Sequence, residues 1–371
     1  MLRFRTVFAL AVIMLPGVSA KTETTTNLGV TAGYTDNLFA DSSQINDSYT
    51  RAEGSLSIYP SMAAVLNISG SYTSFARTSD LNCYDLNAGS NYVWGQPTGA
   101  TAVFFSAGGS LRHYGEYYRE YSRYGIETGL GLRRQFGRSA QGRLGAGFNA
   151  SFYPNADNDD SKRLAGVAGF NVTLPGSNSV DLEASVVHTW LADQTGNLAS
   201  EMEVTAPAER LTADITSLHY RVRWSRPVGQ RVGLSLNATG RAYLSQQPIV
   251  PGYSLDNLSP WSDFYEGYTA GIDVKTFFIP HTILGCGAAY RHADYADALE
   301  SETAAEGSSY YLSERSDDRA SVYLEFKRPV KLAGDGLFTP ILEVGYLNNS
   351  SSLSRYDYSS VSVSLRLTVK P

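Results

Sequence analysis

The side chains in this sequence best placed to do chemistry are arginines that keep a parity. In stretches that alternate in period two, Arg51, Arg112, Arg123, Arg133, Arg143, Arg221, Arg223, Arg231, Arg241, Lys275, Arg291, Arg319, Lys327 and Arg366 share one face with Ser, Asn, Thr and Gly. Only Glu53, Glu127, Asp181, Glu183, Asp273, Glu325 and Glu343 stand against them on that face, an excess of about seven positive charges. Guanidinium forks pair with carboxylates and phosphates, and rings of Arg lower the barrier to anions in a pore. The same residues also admit a structural role, in which Arg and Glu on neighbouring strands pair simply to satisfy a polar interior. Tyr117, Arg119, Tyr121 and Arg123 share a further parity. They predict a Tyr/Arg ladder at an outer mouth, suited to sugar faces and acidic groups, although an aromatic girdle would look alike.

Other chemistries find less support. The five histidines are His113, His188, His219, His281 and His292. Only His113, near Ser110, and His292, near Asp294, fall where a rim hydrolase would need them. Gly-x-Ser-x-Gly, His-Glu-x-x-His and a phosphate-binding Walker loop are absent, so no enzyme is expected. Asp157-Asn158-Asp159-Asp160 lacks the spaced ligands of a calcium loop and reads as a solvated turn. Cys83, in a loop, and Cys286, on a strand, are expected to be unpaired, with neither metal nor cofactor. The acidic 293–318 stretch reads as a solvated loop, with divalent bridging to lipopolysaccharide as the alternative. With a net charge of −6, nucleic acid is not an expected partner.

The alternation itself dictates the elements. From Arg231 onward, Val232, Leu234, Leu236 and Ala238 oppose Ser235, Asn237, Thr239 and Arg241; around Arg319, Ala320, Val322, Leu324 and Phe326 oppose Ser321, Tyr323, Glu325 and Lys327. Period two means strands with one greasy face and one wet face. A soluble sandwich would alternate too. Sixteen such segments, near 27–35, 49–59, 62–74, 85–94, 101–113, 121–135, 140–153, 163–174, 179–191, 215–225, 230–244, 262–277, 281–292, 319–328, 337–347 and 356–369, are joined alternately by tight turns and long polar loops. That asymmetry marks a transmembrane barrel, with fourteen or eighteen strands as the alternatives. Trp94 and Trp224 fall at the turn ends of their strands, and Trp190 and Trp261 at the loop ends, where aromatic girdles belong. After the first twenty residues no run of 18 apolar residues exists, so helices are excluded as the spanning elements.

The expected class is therefore an all-β transmembrane antiparallel up-and-down barrel. Arg3 and Arg5, an apolar Val7–Leu15 stretch and Val18-Ser19-Ala20 predict a signal peptide over 1–20, leaving 21–371 as one outer-membrane barrel domain. Expected partners are outer-membrane lipid, lipopolysaccharide and the barrel assembly machinery. Long loops would be extracellular and both termini periplasmic.

Gly33-Tyr34-Thr35-Asp36-Asn37-Leu38-Phe39, closing the first strand, resembles a phrase of the β-barrel porin 2 group of outer-membrane barrels. The resemblance implies a role in exopolysaccharide or capsule secretion, with polysaccharide secretion components as partners. No functional residues carry over, and the C-terminal Lys370-Pro371 departs from the aromatic end common in such barrels. Three functions follow: a pore or export channel with an Arg-rich lumen, a surface structural or adhesion barrel with a plugged lumen, and a rim hydrolase.

Overall fold

A computed structural model describes residues 23–371, apart from 96–98, 157–159, 192–213, 246–248, 252–263, 278, 296, 305–306 and 333–335. The expected leader and Trp261 lie outside the described residues. Sixteen long strands form the wall: β1 Glu23–Thr35, β2 Asp47–Ser61, β3 Ala64–Phe75, β4 Cys83–Trp94, β5 Thr101–Tyr114, β6 Arg123–Phe136, β7 Ala140–Phe152 and β8 Ser161–Leu174. The wall continues with β9 Asn178–Leu191, β10 Asp214–Val228, β11 Val232–Tyr243, β12 Tyr265–Thr276, β13 Ile283–Tyr295, β14 Ser316–Lys327, β15 Leu337–Ser351 and β16 Tyr358–Lys370.

Each strand pairs antiparallel with its sequence neighbours, and β16 pairs with β1 through Arg366 opposite Thr31, so the sheet closes without a free edge. Closure matters in lipid, where an unpaired backbone N–H or C=O costs several kcal/mol. One end has the short connections, such as Met62–Ala63, 137–139, 175–177 and 229–231. At the last of these Gly229 takes φ 67°, a left-handed turn conformation open to glycine. The other end has the longer ones, including 36–46, 192–213, 244–264 and 296–315.

Register and burial separate the two faces. Leu28, Val30, Ile68, Leu86, Leu130, Leu144, Leu324 and Leu365 all point outward and are exposed, Leu130 and Leu144 to 59% and 61%. A continuous coat of this kind is stable only against lipid, since burying one such side chain is worth about 1.5–3 kcal/mol. Most fully buried apolar side chains instead sit at the loop end, among them Leu81, Tyr114, Tyr153, Ile215, Phe264, Tyr356 and Tyr358. Among the described residues no α-helix occurs, only 3₁₀ turns such as Ser79–Leu81 and Ser354–Tyr356.

Two expectations need correction here. The 293–318 stretch is not simply a solvated loop: β13 runs to Tyr295, and Asp297–Ala304 pairs antiparallel with Gly307–Ser313. Ile249–Pro251, from the preceding long loop, adds parallel to Asp297–Leu299, giving a small separate sheet. Ser308-Ser309-Tyr310-Tyr311-Leu312 has strand propensity that the surrounding acid masks in a composition reading. Cys83 opens β4 rather than lying in a loop, because Thr73 pairs opposite it in the ladder. Both cysteines are free, and Cys286 is exposed on β13.

Candidate functional site

The lumen is built from alternate residues of every strand. Pairing registers put Arg51, Arg112, Arg123, Arg133, Arg143, Arg221, Arg223, Arg241, Lys275, Arg291, Arg319, Lys327 and Arg366 on the wet inner face. Arg231 is not among them. It belongs to the tight turn before β11 and is exposed, its carbonyl accepting the N–H of Phe277. Parity continued past the strand end, but the chain there has already left the wall. Nor do Tyr117, Arg119 and Tyr121 form a ladder with Arg123: Arg119–Tyr121 is a 3₁₀ turn in the β5–β6 connection. There Tyr118 stacks with Tyr117 and Tyr121 at 5.0 and 6.2 Å, and Tyr117 is 71% exposed. The turn obeys period three, so these side chains fan out rather than align.

Some lumenal cations are neutralised locally. Arg112 Nε donates to Asp85 at 2.6 Å, and Arg51 lies 3.5 Å from Glu53. Arg143 and Arg221, on β7 and β10, converge on the two acids of β9: Arg143 reaches Glu183 at 2.6 Å and Arg221 reaches Asp181 at 3.2 Å. Asp273 accepts from Asn237 Nδ2 at 3.0 Å and from Tyr323 Oη at 2.7 Å.

Others are held by aromatic rings. Arg241 and Arg291 lie over the Tyr265 ring at 4.5 and 4.2 Å, and Arg291 also donates to Tyr295 Oη at 3.1 Å. Arg319 lies 5.8 Å from the Tyr358 ring centroid and donates to Asn349 Oδ1 at 3.2 Å. Arg133 lies 5.2 Å from the centroid of Phe104, an inward aromatic. Ring faces attract cations without cancelling their charge, so the ring contacts of Arg291 and Arg319 leave their positive field in place.

Three cross-strand positions put arginine directly opposite arginine: Arg112 and Arg123, Arg133 and Arg143, Arg291 and Arg319. Like charges so placed are destabilising unless something compensates. Sequence reasoning missed Arg163, which faces inward opposite Asn149 and lies 5.9 Å from the Phe264 ring. Ala165, Val167 and Gly169 share its inner face while Leu164 and Phe170 face out, so the polarity contrast that reveals the inner face elsewhere is weak on β8. Asp85 was missed as well, and its partner Arg112 supplies the signal only once β4 and β5 are paired.

The histidines are spread over both faces. His113 is outward, its ring 5.0 Å from Tyr84, while Ser110 is inward. His292, also outward, contacts Asp318 at 2.9 Å and Asp294 at 3.2 Å. His219 Nε2 is 2.9 Å from Ser217 Oγ within the lumen. Asp160 accepts the Tyr153 N–H at 2.6 Å, a turn-closing role. Among the described residues no group of three or more His, Cys, Asp or Glu forms a metal cluster.

No family model matches the chain, and no curated protein matches it. Among solved structures, CdiB from Acinetobacter baumannii aligns with a TM-score of 0.54 at 10% identity over 92% of this chain, which spans 60% of the CdiB chain. The outer membrane protein opdK from Pseudomonas aeruginosa aligns at 0.51 with 10% identity, over 94% of this chain and 99% of that one. OccAB4 from Acinetobacter baumannii aligns at 0.51 with 10% identity, over 94% and 98%. The architecture is a closed sixteen-strand barrel of the bacterial outer-membrane type, and its apolar outer coat places it in that membrane.

Proposed function

We propose that the chain is an outer-membrane pore that passes small anionic solutes, with its turn end and termini in the periplasm and its long loops outside. The observation that carries this is Arg291 standing opposite Arg319 on the lumenal wall, with neither, among the described residues, paired to a carboxylate. A purely structural polar lining would set a carboxylate against each of them, as Asp85 stands against Arg112, whereas these two opposed guanidinium groups leave a positive field that a passing carboxylate or phosphate relieves. Sixteen strands are enough to leave an aqueous interior. An exported acidic polysaccharide is the finer form of this reading, because a polyuronate would meet the same arginines in succession.

The Gly33–Phe39 phrase carries less toward polymer export than the arginines do, since it has local work. Asp36 accepts the Val361 N–H at 2.7 Å, tying β1 to β16, and Asn37 donates to the Asp41 carbonyl at 2.7 Å. The test is conductance of the refolded barrel in planar bilayers under a salt gradient, with R291S/R319S beside the wild type. An anion-preferring current that polyuronate blocks from one face supports the reading together with its polymer form. Anion preference without block keeps the small-solute pore, and no conductance hands the barrel to the surface or adhesion role.

A further inference from the structure

We infer that the lipid-facing surface of β6–β9, near the turn end, holds one anionic phospholipid of the periplasmic leaflet. This rests on the membrane orientation proposed above. Small residues make the floor of a trough there: Gly142 on β7, Ala168 on β8 and Ala184 on β9, the last two directly opposite each other. Leu144, Phe136, Phe170 and Leu182 stand around it, each at least 42% exposed, and the cavity they bound is about 470 Å³. A Cβ at Gly142 would lie 3.0 Å from the Phe136 ring, so glycine is what lets the ring lean over the trough.

An apolar trough alone would fit any acyl chain; the selectivity comes from its end. Arg134 lies directly opposite Gly142, with its guanidinium 5.7 Å from the Phe136 ring centroid. Among the described residues no carboxylate pairs with it, and Arg138, four residues on, is exposed in the turn. No Asp or Glu occurs from residue 128 through 156, so this hairpin end is uniformly cationic. An acyl chain in the trough brings its phosphate to the level of Arg134 and Arg138. Charge-assisted bonds from two guanidinium groups favour a headgroup with net negative charge over a zwitterionic one.

The test uses the whole barrel, purified in detergent, delipidated and incubated with phosphatidylglycerol or phosphatidylethanolamine, with retained lipids counted by native mass spectrometry. The wild type is expected to keep one phosphatidylglycerol in preference to phosphatidylethanolamine. R134Q/R138Q should lower phosphatidylglycerol retention about tenfold and leave phosphatidylethanolamine unchanged. A168F/A184F, which fills the trough with bulk that a lipid-facing wall tolerates, should lower both. Equal retention of the two lipids by the wild type, or unchanged retention in R134Q/R138Q, overturns the inference. So does an oligomer that A168F/A184F dissolves, which would give the trough to a second copy. Heat-modifiable mobility confirms closure of each variant. Protease access to 297–313 on intact cells reports the orientation separately, so its failure is distinguishable from failure of the lipid site.

Discussion

Arg291 and Arg319 face each other across the β13–β14 ladder, both pointing into the lumen, and among the described residues each is steadied by an aromatic ring and a neutral oxygen rather than by a carboxylate. Opposed like charges cost a sheet roughly 0.2–1 kcal/mol. In the proposed pore, a passing anion would relieve that repulsion.

Replacing both, as R291S/R319S, should lower the anion-to-cation permeability ratio by about twofold or more while leaving the closed barrel no less stable. Reversal potentials in a salt gradient measure the first effect and heat-modifiable mobility the second. A ratio that stays constant would make these arginines structural.

The opposite substitution is expected to act in the opposite direction. Glu183 and Asp181 neutralise Arg143 and Arg221 between β7 and β10. Glu183→Gln should release positive field into the lumen and raise anion preference, measured in the same bilayer recordings. A fall in preference would show that the carboxylates do not screen those arginines.

Arg315 and Asp317 form a buried pair at the loop end, 7% and 2% exposed, with Arg315 against the Tyr295 and Tyr356 rings at 4.1 and 3.4 Å. Ser351 Oγ donates to the same carboxylate at 2.6 Å. Arg315→Ala leaves Asp317 buried without its cation, a loss of about 3–5 kcal/mol. Limited proteolysis on intact cells should then cut within 297–313 at a protease dose the wild type resists, while R315A/D317N recovers part of the resistance.

Gly267 has φ 145° within β12, and a Cβ there would overlap the His292 carbonyl oxygen on β13. Gly267→Ala is expected to cost about 1–3 kcal/mol, read as a lowered temperature for loss of heat-modifiable mobility. Gly233, whose added Cβ meets nothing within 4 Å, is the control that should leave that temperature unchanged as Gly233→Ala.

The strand pattern was written in local chemistry. Period-two alternation, turn residues such as Pro175-Gly176 and the inequality of alternate connections are properties of a few adjacent residues, and all sixteen segments, including 85–94, correspond to strands of the wall. Most lumenal arginines were legible for the same reason, since parity within a strand fixes the face. Parity fails where the strand ends, as at Arg231, or where a turn of different period intervenes, as at Arg119, and it is blind where both faces are small and apolar, as around Arg163.

Local alternation was therefore enough to show that strands form and, on most of them, which side is wet, and it favoured sixteen over fourteen or eighteen. Which charge meets which came from the pairing of strands: Arg112 with Asp85, Arg143 and Arg221 with the acids of β9, and Arg291 with Arg319. Alternation has a period of two residues and is unchanged by sliding a strand two positions, whereas every charge partner shifts with that slide. Register is a property of two paired strands and the turn that joins them, and no single strand contains it.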